Sequence, residues 1–165
     1  MKIELRNIKH FPAMSQETNC FTARIYLEDI YVADISNQGT GGADMIHPRE
    51  GQRQLLIKLE EWCKLQPPKE ITGGGMDPFT VPMDLEHYCD DLLFDHLTRQ
   101  DMLRAMKRKV LVRMPDGKIM EYSWKGVKSI SQKHIQKIRD ENPDGIVLNI
   151  LPVDAALEYY KAVSL

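Results

Sequence analysis

The sequence predicts an α+β fold, and three observations carry that prediction. The stretches KIELRNIKHF and TNCFTARIYLEDIYVADIS alternate apolar with polar residues at the period of two of half-buried strands. The middle of the chain repeats apolar residues at spacings of three and four, the period of helices lying on a core. Strand-like and helix-like segments then mix without the strand–helix–strand rhythm of a parallel sheet. With 165 residues, 42% of them hydrophobic and 28% charged, the chain can build one core without staples, so a single domain over 1–165 is expected.

Taken in order, Ile3, Leu5 and Ile8 mark a first strand, and Phe21 to Leu27 and Tyr31 to Ile35 mark two more, folded about Glu28 and Asp29 into an antiparallel meander. In the second strand Phe21, Ala23, Ile25 and Leu27 share a face, and Cys20, Thr22, Arg24 and Tyr26 share the other. The loop NQGTGG then bends the chain toward a helix containing Leu55, Leu56, Leu59, Trp62 and Cys63, which Pro67 and Pro68 stop. Residues 67–82, rich in Pro and Gly, read as a long connection, with Gly73, Gly74 and Gly75 as a flexible connector or hinge. Asp84 is placed to cap a helix with Leu85, Tyr88, Cys89, Leu92, Leu93 and His96 near one face, and a further helix runs from about Asp101 to Lys107, burying Met102, Leu103 and Met106.

KVLVRMPDGKIMEYSW is a hairpin, turned by Pro115, Asp116 and Gly117, with Met120, Tyr122 and Trp124 expected inward. Ser129 and Gln132 suggest a capping box before a helix with Ile130, Ile135 and Ile138. IVLNILP is the continuous apolar run of a strand covered on both faces, and Pro152 opens a last helix with Leu157, Tyr160 and Val163 inward. The expected order is thus an N-terminal antiparallel meander, a helical middle, a hairpin, and helix–strand–helix at the C-terminal end.

No run approaches the ~18 apolar residues of a spanning helix, and MKIELRN offers no apolar signal core, so no membrane contact and a cytoplasmic location are expected. Cys20, Cys63 and Cys89, odd in number and set among apolar neighbours, read as reduced and buried. None of them suits a nucleophile, because apolar surroundings raise a thiol's pKa.

The net charge of −2 conceals a segregation. Residues 70–98 hold seven acids and no Lys or Arg, while 99–139 hold twelve basic residues against three acids, a local excess of +9. The acidic stretch supplies a candidate partner-binding set, Asp84, Glu86, Asp90, Asp91 and Asp95, able to mimic nucleic-acid phosphates toward a protein. The basic stretch supplies a candidate nucleic-acid set, Arg104, Lys107, Arg108, Lys133, Lys137 and Arg139, whose binding would weaken steeply with salt. A third candidate is a phosphate-binding loop made of Asn37, Gly39, Thr40, Gly41 and Gly42. That loop lacks the Gly-Lys-Ser/Thr ending of a nucleotide P-loop and the full G-x-G-x-x-G spacing, and glycines serve a tight bend equally well.

His87, His96 and the aspartates around them have helical spacing for metal ligands, but no second element with converging ligands can be named, and Cys-x-x-Cys pairs are absent. No metal, cofactor or catalytic residue is therefore assigned, and the reading leans away from an enzyme.

Glu17, Thr18, Phe21 and Ala23 in ETNCFTARIYL, Asn37, Gly39, Gly41 and Gly42 in NQGTGG, and Trp124, Lys125 and Gly126 in YSWKG complete the pattern with the acidic helix and the late IVLN. Together they resemble a family of small uncharacterised proteins from phages and bacterial mobile elements. Where that family has an Asp-Gly type turn, this chain has Glu28-Asp29-Ile30, which requires another turn geometry. The resemblance carries no activity. It implies a setting, the cytoplasm of a bacterial host cell, in which small proteins block defence or nucleic-acid-processing machinery. The expectation is a non-enzymatic binding protein whose partner is a host protein or nucleoprotein complex; direct nucleic-acid binding and the handling of a nucleotide or small phosphate ligand are the alternatives.

Overall fold

The computed structural model describes residues 1–73 and 76–164, the side chains of 72–76 and 163–165 excepted. Gly74 and Gly75 of the glycine connector lie outside the described residues. The described residues form four α-helices and nine strands, an α+β fold. They gather into two compact units, Met1–Phe94 and Asp95–Leu165. No helix among them is long and apolar enough to cross a membrane.

In the first unit, β1 (Ile3–His10), β2 (Cys20–Leu27), β3 (Ile30–Gln38) and β4 (Met45–Pro48) form an antiparallel sheet in sequential order. The alternation in β2 holds from Phe21 on: Phe21, Ala23, Ile25 and Leu27 are buried, and Thr22 and Arg24 are exposed, but Cys20, placed with the latter face, is buried at the start of the strand. The chain passes from β2 to β3 through Glu28, at φ 55°, and Asp29, with Leu27 paired to Ile30. Here a glutamate accepts the strain of a left-handed conformation. The glycine loop leads into the fourth strand rather than directly into a helix. α1 (Arg53–Cys63) packs against β3 and buries Leu56, Leu59 and Cys63.

Residues 67–82 are less irregular than their composition suggests. They contain the hairpin of β5 (Lys69–Gly73) and β6 (Met76–Val81), in which Ile71 pairs with Phe79. Both strands of the ribbon are edge strands, the kind of strand in which a proline such as Pro78 is tolerated.

The two expected middle helices are one, α2 (Leu85–Arg108), which supplies residues to both units. No proline or glycine falls between Leu85 and Lys109, so nothing in the sequence breaks it. Leu85, Cys89 and Leu93 are buried in the first unit, and Trp62 of α1 meets Tyr88 edge-on at 5.6 Å. In the second unit Met102 is buried, but Leu103 is exposed, contrary to expectation.

The second unit is organised by β7 (Val110–Arg113), flanked in its sheet by β8 (Ile119–Tyr122) and β9 (Ile146–Val147). Its alternation separates two cores. Leu111 packs with Met102, Leu148, Ala156 and Leu157, while Val110 and Val112 pack with Ile138 and Val147. The first core is closed by α4 (Val153–Ser164), the second by α3 (Gln132–Glu141). Contrary to expectation Met120 points outward at 47% exposure, and Tyr122 and Trp124 are only half-buried.

The IVLN run is a strand for two residues only and then a 3-10 turn over Leu148–Ile150. The strand stops because Asn149 takes over its pairing with side-chain bonds: its Oδ1 accepts the Leu111 N–H at 2.8 Å, and its Nδ2 donates to the carbonyls of Met106 and Lys109 at 3.2 and 3.0 Å. The capping box of α3 is built by Ser131 and His134, not by Ser129 and Gln132.

Candidate nucleic-acid interface

The end of α2 is the best-anchored cationic element. An α-helix leaves its last carbonyls without intrahelical donors. Here Asn149 satisfies Met106 and Lys109, and the N–H of Ile130 donates to the Lys107 carbonyl at 2.9 Å. That last bond, with Ile130 seated on the Val110–Ile138 core, holds the segment entering α3 against the end of α2. The backbone that carries Lys107 and Arg108 thus lies beside the segment that carries Lys128 and Lys133, and all four side chains are exposed. Among the described residues none of the four forms an ion pair. Lys125, on the turn after Trp124, is likewise exposed and unpaired among them.

The remaining predicted cations are more engaged. Arg104 pairs with Asp101 at 3.1 Å, and Lys137 approaches Glu141 at 3.8 Å. Arg139 is exposed in the last turn of α3. The sequence reading missed Lys125 and Lys128 because they lie in an irregular segment where no helical or strand period assigns a face. The unit carries thirteen basic against nine acidic residues, a net of +4.

The predicted acidic residues are mostly committed within the fold. Asp84 caps α2, its Oδ1 accepting the His87 N–H at 2.7 Å and facing the His87 ring at 2.8 Å. Glu86 accepts the backbone N–H of Asp44 at 2.9 Å, Asp91 pairs with Lys69 at 2.6 Å, and Asp95, in the other unit, pairs with Lys161 at 3.0 Å. Asp90 is half-buried, and burial raises its pKa above the ordinary carboxylate value.

The glycine loop belongs to the same neighbourhood. Asn37, buried, receives the Thr18 hydroxyl and the Gly39 N–H on Oδ1, both at 2.8 Å, and donates Nδ2 to Gly42 O and Asp44 Oδ1. The Gly41 N–H donates to Thr18 Oγ1 at 3.3 Å, and the Gly39 carbonyl accepts the N–H groups of Gln16 and Glu17. The amides of Gly39 and Gly41, which a phosphate would need, are occupied, and the nearest charges are carboxylates. Asp44 was not singled out from sequence. Its Oδ2 is buried with no hydrogen-bond partner among the described residues, and burial first, then Asp90 and Glu86, push its pKa up to about 6.

Cys20, Cys63 and Cys89 are all buried and unbridged. Burial raises the Cys63 thiol to about 11 and also pushes the Cys89 thiol up from its ordinary value, which keeps both protonated at neutral pH. Among the described residues no group of three or more His, Cys, Asp or Glu is arranged to hold a metal ion. No family model, no curated protein and no solved structure matches the chain.

Proposed function

We propose that this chain is a non-enzymatic binding protein that contacts the phosphate backbone of nucleic acid through its C-terminal unit, and that in a phage or mobile-element setting it thereby obstructs a host nucleic-acid-processing complex. The observation that supports this reading is that Lys107, Arg108, Lys128 and Lys133 are exposed and without ion pairs among the described residues, on two segments tied together by the Ile130–Lys107 bond. Cations without local counter-charges release the counterions of a polyanion when they bind it, and each phosphate contact contributes a slope of about −0.9 in log affinity against log salt.

A gel-shift titration of the full chain at several salt concentrations tests the reading. Lys107→Gln/Lys133→Gln is expected to weaken binding of all sequences alike and to flatten the salt slope by about 2. Absence of binding at low salt would reject the proposal.

A second reading, capture of a host protein by the acidic residues of the first unit, is supported by that unit's fifteen acidic against nine basic residues. Affinity capture from the host with and without nuclease separates the two, since nuclease removes a partner held through nucleic acid and leaves a protein held directly.

A further inference from the structure

The open face of the four-stranded sheet carries an arrangement that the charge blocks do not account for. One extra residue is inserted in β1 between Arg6, paired with Arg24, and Lys9, paired with Thr22, and Asn7 in this bulge stands at φ 55°. The bulge lifts β1 and leaves a groove of about 410 Å³ lined by Asn7, Lys9, Thr22, Arg24 and Asp34 among others.

Two arginines directly opposite one another are destabilising unless something anionic answers them. Arg6 has its answer in Glu4 at 2.6 Å and Asp29 at 2.8 Å. Arg24 is answered more loosely, by Asp34 Oδ1 at 3.8 Å from its Nε, while Asp34 Oδ2 accepts the Tyr31 hydroxyl at 2.5 Å. Lys9 has no ion pair among the described residues. Beside the groove, Tyr26 and Tyr31 stack at 5.5 Å, and the guanidinium groups of Arg24 and Arg49 lie over the Tyr31 ring at 5.1 and 5.0 Å. Two under-compensated cations, polar groups at the bulge, an exposed carboxylate and a stacked planar surface thus meet on one sheet face.

The geometry points to this groove as a binding site for a phosphorylated nucleoside. Lys9 and Arg24 face its phosphate, Asn7 and Thr22 supply polar contacts, and Asp34 accepts from a sugar hydroxyl. The base lies on the arginine–tyrosine stack, as bases do on guanidinium planes and aromatic rings. The same chemistry is offered by a free nucleotide and by one residue of a single strand. The inference rests on the first unit alone and does not depend on the reading of the C-terminal unit.

Calorimetric titration of the full chain with AMP, adenosine and a short oligothymidylate tests it, the oligonucleotide being measured in Lys107→Gln/Lys133→Gln so that the other unit contributes little. AMP binding with no adenosine binding supports a free nucleotide; oligothymidylate binding without AMP binding supports a strand. In either case Lys9→Gln/Arg24→Gln is expected to weaken affinity by about tenfold or more. Thr22→Asp, at an exposed position, places a carboxylate among the cations and is expected to abolish binding while the circular dichroism spectrum and Tm are kept. Binding of neither AMP nor oligothymidylate, or binding that survives both groove variants, would overturn the assignment.

Discussion

Two residues of the glycine loop differ sharply in what they tolerate. A Cβ on Gly39, at φ 84°, would run into the Met14 carbonyl oxygen and come within 2.8 Å of Cys20 Cβ, both parts of fixed structure. A Cβ on Gly41, at φ 87°, meets chiefly the carboxylate end of Glu17, a side chain that can swing away. Gly39→Ala is therefore expected to cost about 2–4 kcal/mol or to prevent folding, and Gly41→Ala about 1–2 kcal/mol, the strain of a left-handed alanine. Chemical denaturation of the two variants measures the difference, and equal losses would show that the loop yields as one piece.

Asp44 gives a prediction in pH. Its folded pKa of about 6 lies above the ordinary 3.8, so between those values the folded state holds a proton that the unfolded chain has released. Stability therefore falls as pH rises through that window, and above it the buried charge is a standing penalty. Asp44→Asn should raise Tm at pH 7 and flatten the profile between pH 4 and 6. Thermal melts of both proteins across the range check it; an unchanged profile would mean that solvent reaches the carboxylate.

At the scale of elements, α2 shows how a helix becomes a platform. Asp84 caps its start and Asn149 its end, one from the adjoining residue and the other from 40 positions along the chain from Lys109. The first is legible in the sequence because capping is local, a polar residue just before an apolar periodic run. The second is not, since nothing around Asn149 names the carbonyls it will serve. Asn149→Ala removes three bonds to backbone groups and should destabilise the chain by about 2–3 kcal/mol. Hydrogen exchange should then speed at Leu111 and in the last turn of α2 more than in the four-stranded sheet; uniform acceleration would argue against this local role. The merging of two expected helices into α2, and the shortening of IVLN to a two-residue strand, share a cause. Helical and strand periods report which residues can be buried, but the partner across the core decides where an element stops.

For the whole molecule, the charge blocks of the sequence fall on different units except for Asp95, the first unit with an excess of six acids and the second with an excess of four bases. For the proposed nucleic-acid binding the salt slope is the measurable consequence, because it would count the cations that meet phosphate and ignore those already paired within the fold. Arg104 and Lys137, with carboxylates beside them, should contribute less to that slope than Lys107 and Lys133.

By itself the sequence determined the α+β class, the meander and its buried face, the hairpin at Asp116–Gly117, the burial of the three cysteines and the separation of charge. All of these are fixed by local chemistry: alternation, turn residues, apolar content and the linear order of charged side chains. Only the tertiary structure decided which charges remain available. It committed Asp84, Glu86, Asp91 and Asp95 to partners, left Lys107, Arg108, Lys128 and Lys133 without any among the described residues, and set Arg24 and Lys9 beside a groove. A charge's free energy depends on what stands within a few ångströms of it, and for most of these residues those neighbours come from distant parts of the chain.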